Sequence, residues 1–511
     1  MATKQFTDIN GKPFNRNAMV AVLLIGTFAG ALMQTSLGTA IPTLMRDFDI
    51  TLATAQQATT WFMLANGIMM PVSAFLSTRI PTKVLYITAY LLLFIGMTIT
   101  SLTPADHDMW WMFLGGRIIA TIAVGISMPL MQVVMVNIFP AEARGTAMGL
   151  NGIVFGLAPA IGPTLSGWLL QKHGTVMGLN LNGPWRLIFH LPTAVLALVI
   201  IAAPFFIKNV IKNERMKLDL PSLVISTVGF GSFLWAFTNV ATDGWGNVKT
   251  VIAPMIIGAL IVVLFALRQL RLDEPFVDVR VFKNRQFTLT PICVMMSMSA
   301  MMGVEMMLPT YLQNVHLLTP LQSGLTLMPG ALMIGVMAVF AGRYYDRIGA
   351  KRLTITGFTF VAIGTLSFLF LSPTTPTHFI TTLYAVRMFG IATALVPLTA
   401  MAMAMAMAVL PKNEAPHATA ANNTARQVAS TIVVALLSSV TQNVIANHEP
   451  AKHLETTNPL QYGADYLEAS MKGFHVSFAI GLSFAIIGII VALFLKGGMI
   501  VPAATNEEDA A

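Results

Sequence analysis

Gly156-Leu-Ala-Pro-Ala-Ile-Gly-Pro-Thr-Leu-Ser-Gly-Trp168 lies inside an apolar run from Thr146 to Leu170. At about 1.5 Å per residue, such a run is long enough to cross a bilayer. Two prolines and three glycines would disrupt a helix in water. In a membrane, neighbouring helices, Ser/Thr hydroxyls and water re-satisfy the freed backbone groups. Gly156, Pro159, Pro163 and Gly167 recur three or four residues apart and share one helix face almost without side-chain bulk. Another helix can approach that face closely, and the prolines bend it. On these residues alone the stretch is a small-residue packing seam of a helical membrane protein.

Composition widens that reading to the whole chain. Hydrophobic residues make up 55% and charged residues 10% of the sequence, and mean hydropathy is +0.72. A soluble domain carries roughly 25% charge, so an all-α polytopic membrane protein is expected. Cys293 is the single cysteine, which excludes an intrachain disulfide. The net charge of +8 fits basic residues held in cytoplasmic loops better than nucleic-acid binding. Lys4, Lys12 and Arg16 precede an apolar run from Ala18 to Ile41, too long for a signal-peptide core and read as an uncleaved first span.

Fourteen apolar windows of spanning length follow one another, from 18–41 to 473–495. An even number places both termini on one side. With the N-terminus inside, 21 Lys/Arg are cytoplasmic, 6 are outside and 3 (Arg117, Arg387, Arg426) lie within spans. That bias predicts cytoplasmic termini. The largest piece between windows is an outer loop around Asn443–Lys472, too small for a catalytic domain.

The chain also repeats itself. Thr78-Arg79-Ile-Pro-Thr-Lys83 follows the second window, and Asp346-Arg347-Ile-Gly-Ala-Lys351 follows the tenth. Arg117 and Arg387, and Pro140 and Pro411, recur at almost the same offset as that pair of loops. Two homologous six-span halves are expected, with two extra spans between Leu220 and Leu267. The division is 1–207 for the first bundle, 208–286 for a linker holding the extra pair, 287–495 for the second bundle and 496–511 for a cytoplasmic tail.

These landmarks are similar to the fourteen-span drug/proton antiporter branch of the major facilitators (the EmrB/QacA type) over essentially the whole length. Gly156, Gly162, Pro163 and Gly167 match that family's antiporter motif on the fifth helix, which here also contains Pro159. Phe139-Pro-Ala-Glu-Ala-Arg-Gly-Thr-Ala-Met-Gly149 resembles its loop after the fourth span, and Trp185-Arg-Leu-Ile-Phe-His-Leu-Pro192 the start of its sixth. Asp346-Arg-Ile-Gly-Ala-Lys351 resembles the shared inner-loop motif. The first copy departs from it, with Thr78 for Asp and Pro81 for Gly. Met33 stands where the family carries an acid, and Ala120 and Thr121 where it has Gln-Gly. The resemblance implies a major facilitator fold, two six-helix bundles plus two central spans. It also implies proton-coupled export of amphiphilic or cationic compounds across a bacterial plasma membrane.

Ionisable groups within spans are costly and therefore candidates for function. Scanning the windows leaves one acid, Glu305, whose offset from Met33 is close to that of the repeat. The acid missing from span one is expected to have moved to its symmetry mate. Burial favours the protonated carboxyl and a nearby cation the charged one, so proton and cargo can compete. The other reading of Glu305 is a carboxylate snorkelling to the outer headgroups. Arg117 and Arg387 are expected to organise the acid or close the cavity, since guanidinium does not release its proton.

Gln34, Trp61, Asn66, Met128, Glu305 and Met306 are the substrate-pocket candidates. Met401-Ala-Met-Ala-Met-Ala-Met407 scatters sulfurs around a helix and reads as apolar packing rather than a metal site. Asn422, Asn423, Arg426 and Gln427 are expected to satisfy one another near the cytoplasmic surface. Arg79, Lys83, Asp346, Arg347 and Lys351 are gating-loop candidates, with plain topology anchoring as the alternative for the basic ones.

No nucleotide-phosphate loop, His-Glu-x-x-His, cysteine pair or Gly-x-Ser-x-Gly sequence occurs. No enzymatic activity, cofactor or metal is expected. The expected partners are a small molecule, protons and the lipid bilayer, with no nucleic acid and a monomeric state. The alternatives are a dedicated exporter of one metabolite, lipid or antibiotic, and a membrane sensor on the same scaffold.

Overall fold

The structure is a computed structural model. It describes residues 6–50, 52–140, 144–170, 184–211, 219–272, 279–305, 307–409, 415–448, 450 and 457–496. Within helices, some side chains lie outside the described set, among them Gly156, Pro159 and Asp346.

Among the described residues the fold is helical apart from one short hairpin. Its strands β1 (Phe6–Thr7) and β2 (Pro13–Phe14) pair antiparallel ahead of the first helix. The helices are α1 (Arg16–Thr35), α2 (Ile41–Phe48), α3 (Leu52–Arg79), α4 (Thr82–Leu102), α5 (Trp110–Ile138), α6 (Arg144–Leu170) and α7 (Leu187–Phe206). Then come α8 (Leu220–Asp243), α9 (Ala253–Arg271), α10 (Arg285–Glu305), α11 (Met307–Asn314) and α12 (Pro320–Ile348). Last are α13 (Ala350–Phe368), α14 (Thr377–Val409), α15 (Ala415–His448) and α16 (Pro459–Leu493). Fourteen of these are nineteen residues or longer, and nine described segments are both long and apolar enough to cross a membrane.

Buried side chains gather into two large clusters, one between Met19 and Ile211 and one between Phe287 and Leu495. Outward faces are apolar and bare: Leu198, Ile201 and Phe205 on α7 are 69%, 66% and 70% exposed. Exposed apolar surface on that scale is what acyl chains cover.

Two regions differ from their hydropathy reading. The first, 18–41, is not one span: α1 stops at Thr35 and a 3-10 turn at Gly38–Ala40 leads into α2, with Pro42 in its first turn. Residues 443–472, expected as an outer loop, are partly helical, since α15 runs to His448 and α16 begins at Pro459. Hydropathy reports apolarity, not helix ends, so it merged α1 with α2 and missed the polar helix extensions.

Glycines set how closely the helices cross. An added Cβ at Gly116 would lie 2.8 Å from the Gly96 carbonyl oxygen, and one at Gly390 would lie 2.5 Å from that of Gly357. The α4–α5 and α13–α14 pairs therefore meet backbone to backbone, in the same way in each half. Pro129 in α5 and Pro397 in α14 interrupt matching helices at matching places in the repeat. Gly390→Val is expected to lower stability by about 1–3 kcal/mol through overpacking, read as a lower unfolding temperature in detergent. An unchanged temperature would mean that the two helices can part freely.

The two inner-loop turns are built differently. At Gly349 the backbone takes φ 81° and ψ 164°, a conformation open to glycine, and joins α12 to α13. Its counterpart Pro81 takes φ −50° and ψ 132° ahead of α4. Proline thus makes the same tight turn by another backbone route, which accounts for the departure at that position.

The central pair α8–α9 is tied at one end by Asp219, Ser222, Arg268 and Gln269. Arg268 Nη2 donates to Asp219 Oδ1 at 2.8 Å, and Gln269 Nε2 donates to Ser222 Oγ at 2.7 Å. Partial burial opposes the Asp219 charge, but hydrogen bonds from Arg268 and Ser222 outweigh it and hold the carboxyl below its ordinary range. A depressed carboxyl stabilises above the unfolded pKa, about 3.9, and loses that contribution as pH falls through the folded value. A double-mutant cycle with Asp219→Asn and Arg268→Gln should give a coupling of about 1 kcal/mol. Thermal unfolding should find it undiminished from pH 7 to pH 5; a coupling that fades across that interval contradicts the assignment.

Candidate functional site

Each bundle suspends a buried arginine from carbonyls of its first helix. Arg117 on α5 is 1% exposed; its Nη1 donates to the Met33 carbonyl of α1 at 3.3 Å and its Nε to the Ala58 carbonyl of α3 at 3.2 Å. The Phe62 ring lies 4.9 Å from its guanidinium carbon, a favourable cation–π distance. Arg387 on α14 is fully buried. Its Nη2 donates to the Ala300 carbonyl and, at 3.3 Å, to the Met301 carbonyl of α10, and its Nε to Thr365 Oγ1 of α13 at 3.0 Å. Each guanidinium keeps one enclosed nitrogen, Arg117 Nη2 and Arg387 Nη1, without a hydrogen bond among the described residues.

Glu305 lies on α10, one turn beyond the carbonyls that Arg387 holds. Its Oε2 is enclosed and makes no hydrogen bond among the described residues. Glu305 and Arg387 lie within electrostatic range of one another and of the buried Tyr384 phenol. They do not form one of the direct ion pairs found among the described residues. Among the described residues, no such acid lies beside Arg117. The two halves repeat the arginine and differ in the carboxylate.

One turn back along α10 and one turn on along α14, Met301 and Ile391 open onto a cavity of about 40 Å³ between the bundles. Gln132, Asn151, Thr399 and Arg426 supply its polar wall, and Ile334, Ala338, Leu395 and Val396 part of its apolar wall. Arg426 Nε donates to Met298 Sδ at 3.2 Å. Arg426 thus lines the cavity wall, and the side chains of Asn422, Asn423 and Gln427, expected to pair with it, lie outside the described residues. Gln132, Asn151 and Thr399, on α5, α6 and α14, are not among the sequence candidates, since they carry no formal charge and belong to no motif.

The other candidates scatter. Met128 is buried on α5 one turn before Gln132, and Asn66 on α3 packs toward Gly125 of α5. Gln34 follows the Met33 carbonyl that Arg117 holds and is partly buried. Trp61 faces Trp111 and Trp235, ring centroids 6.2 and 5.5 Å away, toward the central pair and not toward the cavity. Met306 lies outside the described residues.

The glycine-proline stretch sits on α6 between two partners. A Cβ at Gly162 would collide with Thr35 Oγ1 of α1, and that hydroxyl donates to the Ala158 carbonyl at 3.0 Å. Pro163 and Gly167 continue the helix; the side-chain positions of Gly156 and Pro159 lie outside the described set. Closest approach to α12 uses other glycines: a Cβ at Gly149 would lie 3.0 Å from the Ala338 carbonyl oxygen, and one at Gly324 would lie 3.0 Å from Thr164 Cα. The seam therefore extends beyond the stretch that sequence singled out.

In the loops, Arg79 lies over the Phe75 ring at 5.6 Å, and the Lys83 amide donates to Asn209 Oδ1 at 3.0 Å. Arg347 is exposed and Lys351 partly buried. The Asp346 side chain lies outside the described residues.

Two helical bundles closing on an enclosed polar centre, within an apolar belt, define a multi-pass membrane transporter scaffold. The chain belongs to the Major Facilitator Superfamily, whose family model matches residues 23–434. It is 38% identical over 492 residues to the MFS-type transporter YcnB of Bacillus subtilis strain 168, covering 96% of this chain and 97% of that one. It is 33% identical to the lincomycin resistance protein LmrB of Listeria innocua, covering 94% and 96%. Relatives of that kind agree with the drug/proton antiporter branch. A solved structure of the proton:xylose symporter XylE superposes with a TM-score of 0.61 at 14% identity, covering 94% of this chain and 96% of that one; at that identity the likeness is one of fold.

Proposed function

We propose that this transporter exports amphiphilic compounds across the bacterial plasma membrane in exchange for protons, by alternating access, and that Glu305 carries the proton. The observation that carries the reading is the enclosed, unbonded Glu305 Oε2 one turn from the carbonyls held by Arg387 and beside the cavity between the bundles. A carboxyl out of water and near a fixed cation is poised between its two states, and rocking of the bundles changes that balance. Arg117 and Arg387 fix the crossing of each bundle's first and fourth spans. The glycine-proline face of α6 is the sliding surface, and Arg79, Lys83, Asp346, Arg347 and Lys351 hold the loops at one end.

Fourteen long helices support fourteen spans. The two buried clusters support the four-part chain division, and the charge bias supports two cytoplasmic termini. A monomer has all of these parts.

The test is flux in proteoliposomes under an imposed pH gradient. Proton-driven accumulation of an amphiphile on the acidic side supports the reading; flux indifferent to the gradient overturns it. A dedicated exporter is the second reading, favoured by the small cavity with its four fixed polar groups. Protection of cells from several unrelated compounds favours a broad role, and protection from one alone the dedicated role.

A further inference from the structure

We propose that the central pair α8–α9 is a fixed part of the first bundle, and that Trp245 and Ser439 form a latch between this pair and the second bundle that opens when the bundles rock apart. This rests on the alternating-access part of the reading above, and on nothing about cargo or protons.

The pair is one unit that grips the first bundle along α3. Arg268 and Asp219 join its two helices at one end, and further along an added Cβ at Gly258 would collide with the Phe233 amide. Trp235 of α8 meets the Trp61 ring, a Cβ at Gly231 would lie 3.4 Å from Ile68 Cδ1, and Phe265 of α9 packs with Phe75. Trp61, Ile68 and Phe75 recur every seven residues, so they share one face of α3 and cover about four turns of it.

The hold on the second bundle is of another kind. α8 also packs against α15. Ile432 makes that contact against Phe237, Val240 and Val251, and Ser439 makes it by accepting a hydrogen bond from Trp245 Nε1 at 2.9 Å. Both residues lie in the half of α15 that ends at His448. Trp245 stands just beyond α8, where Gly244 takes φ 77° and turns the chain, and the Phe237 ring meets its indole edge-on at 6.1 Å.

Geometry decides which side gives way. A hydrogen bond weakens steeply beyond about 3.2–3.5 Å, whereas domain motions shift packed helices by about 1–2 Å or more. The four-turn face on α3 cannot slide without unseating three side chains together. The α15 side needs only Trp245 to leave Ser439 and Ile432 to part from an apolar surface. Trp245 is 40% exposed, so its N–H finds water on leaving, and little is lost when the latch opens.

The experiment measures distances by pulsed electron paramagnetic resonance on the full chain in lipid nanodiscs, at acid and at neutral pH. Cys293→Ala removes the single cysteine, and nitroxides go on paired new ones. Val248→Cys with Asn447→Cys spans from the central pair to the second bundle, and Val248→Cys with Met112→Cys from the central pair to the first; all three positions are exposed. The first pair should show two separations and the second only one. Trp245→Phe keeps a ring but loses the N–H, and should raise the ratio of long to short separation about two- to tenfold, as loss of one hydrogen bond does. Ser439→Ala should do the same, and the double variant no more than either. One separation in the first pair at both pH values, two in the second, single variants that leave the ratio unchanged, or a double variant that exceeds them overturns the proposal. Flux is no part of this readout. Flux that follows a pH gradient without these distances leaves the exporter reading standing and removes the latch; a latch that opens without such flux leaves the device and removes the exchange.

Discussion

Glu305→Gln should reduce pH-gradient-driven transport to the level of liposomes without protein, while the same variant still exchanges labelled for unlabelled cargo at equal pH. The glutamine keeps the size of the carboxyl side chain but cannot lose a proton. Exchange without a gradient requires the rocking of the two bundles and the cavity, neither of which the substitution touches. A variant that still accumulates cargo against its gradient with wild-type pH dependence retires Glu305 as the coupling acid. Loss of both activities in a well-folded protein would place Glu305 in cargo binding or gating instead.

The second large effect is expected at Arg387. Removing the guanidinium with Arg387→Leu strips donors from the Ala300 and Met301 carbonyls and from Thr365 Oγ1, all buried. Hydrogen bonds from a charged group contribute about 1.5–3 kcal/mol each. The loss should be several kcal/mol, seen as a large fall in unfolding temperature. Arg117→Leu should cost a similar amount through Met33 and Ala58. The two then part company: the arginine beside Glu305 should move the pH midpoint of the remaining flux, and Arg117, with no acid beside it among the described residues, should not. Arg387→Lys separates the roles further, since it keeps the charge but loses the planar fork that reaches two carbonyls at once. Equal shifts of the pH midpoint in both leucine variants would mean that the acid responds to global loosening rather than to its neighbour.

Much of the fold was legible because a bilayer imposes simple rules. Long apolar windows, one-sided Lys/Arg and landmarks recurring at one offset, such as Arg117 and Arg387, each follow from the solvent or from duplication. The helices from α1 to α16 respect them. Helix ends inside apolar sequence were not legible. Nothing in the hydropathy of 18–41 announces that the chain turns at Gly38 and starts α2, because Leu37, Ala40 and Leu44 on either side of the turn are apolar and buried.

The site divides in the same way. Arg117, Arg387 and Glu305 stood out because a formal charge in a span is costly. Asn151, Gln132 and Thr399 did not, since a neutral polar residue is common in such helices and only three-dimensional packing gathers these on one wall. Arg426 was visible as a formal charge within a span, but its place on the cavity wall was not. Trp61 was drawn in by its aromatic character, whereas the central pair, through Trp235, accounts for the way it faces.

The central claim is that cargo and proton compete through one carboxyl, and it is tested most directly by counting protons when cargo binds. With purified protein in weakly buffered detergent solution, addition of a transported amphiphile should release protons from the wild type and none from Glu305→Gln. Equal release from both proteins, or none from a wild type shown to bind the compound, would contradict it.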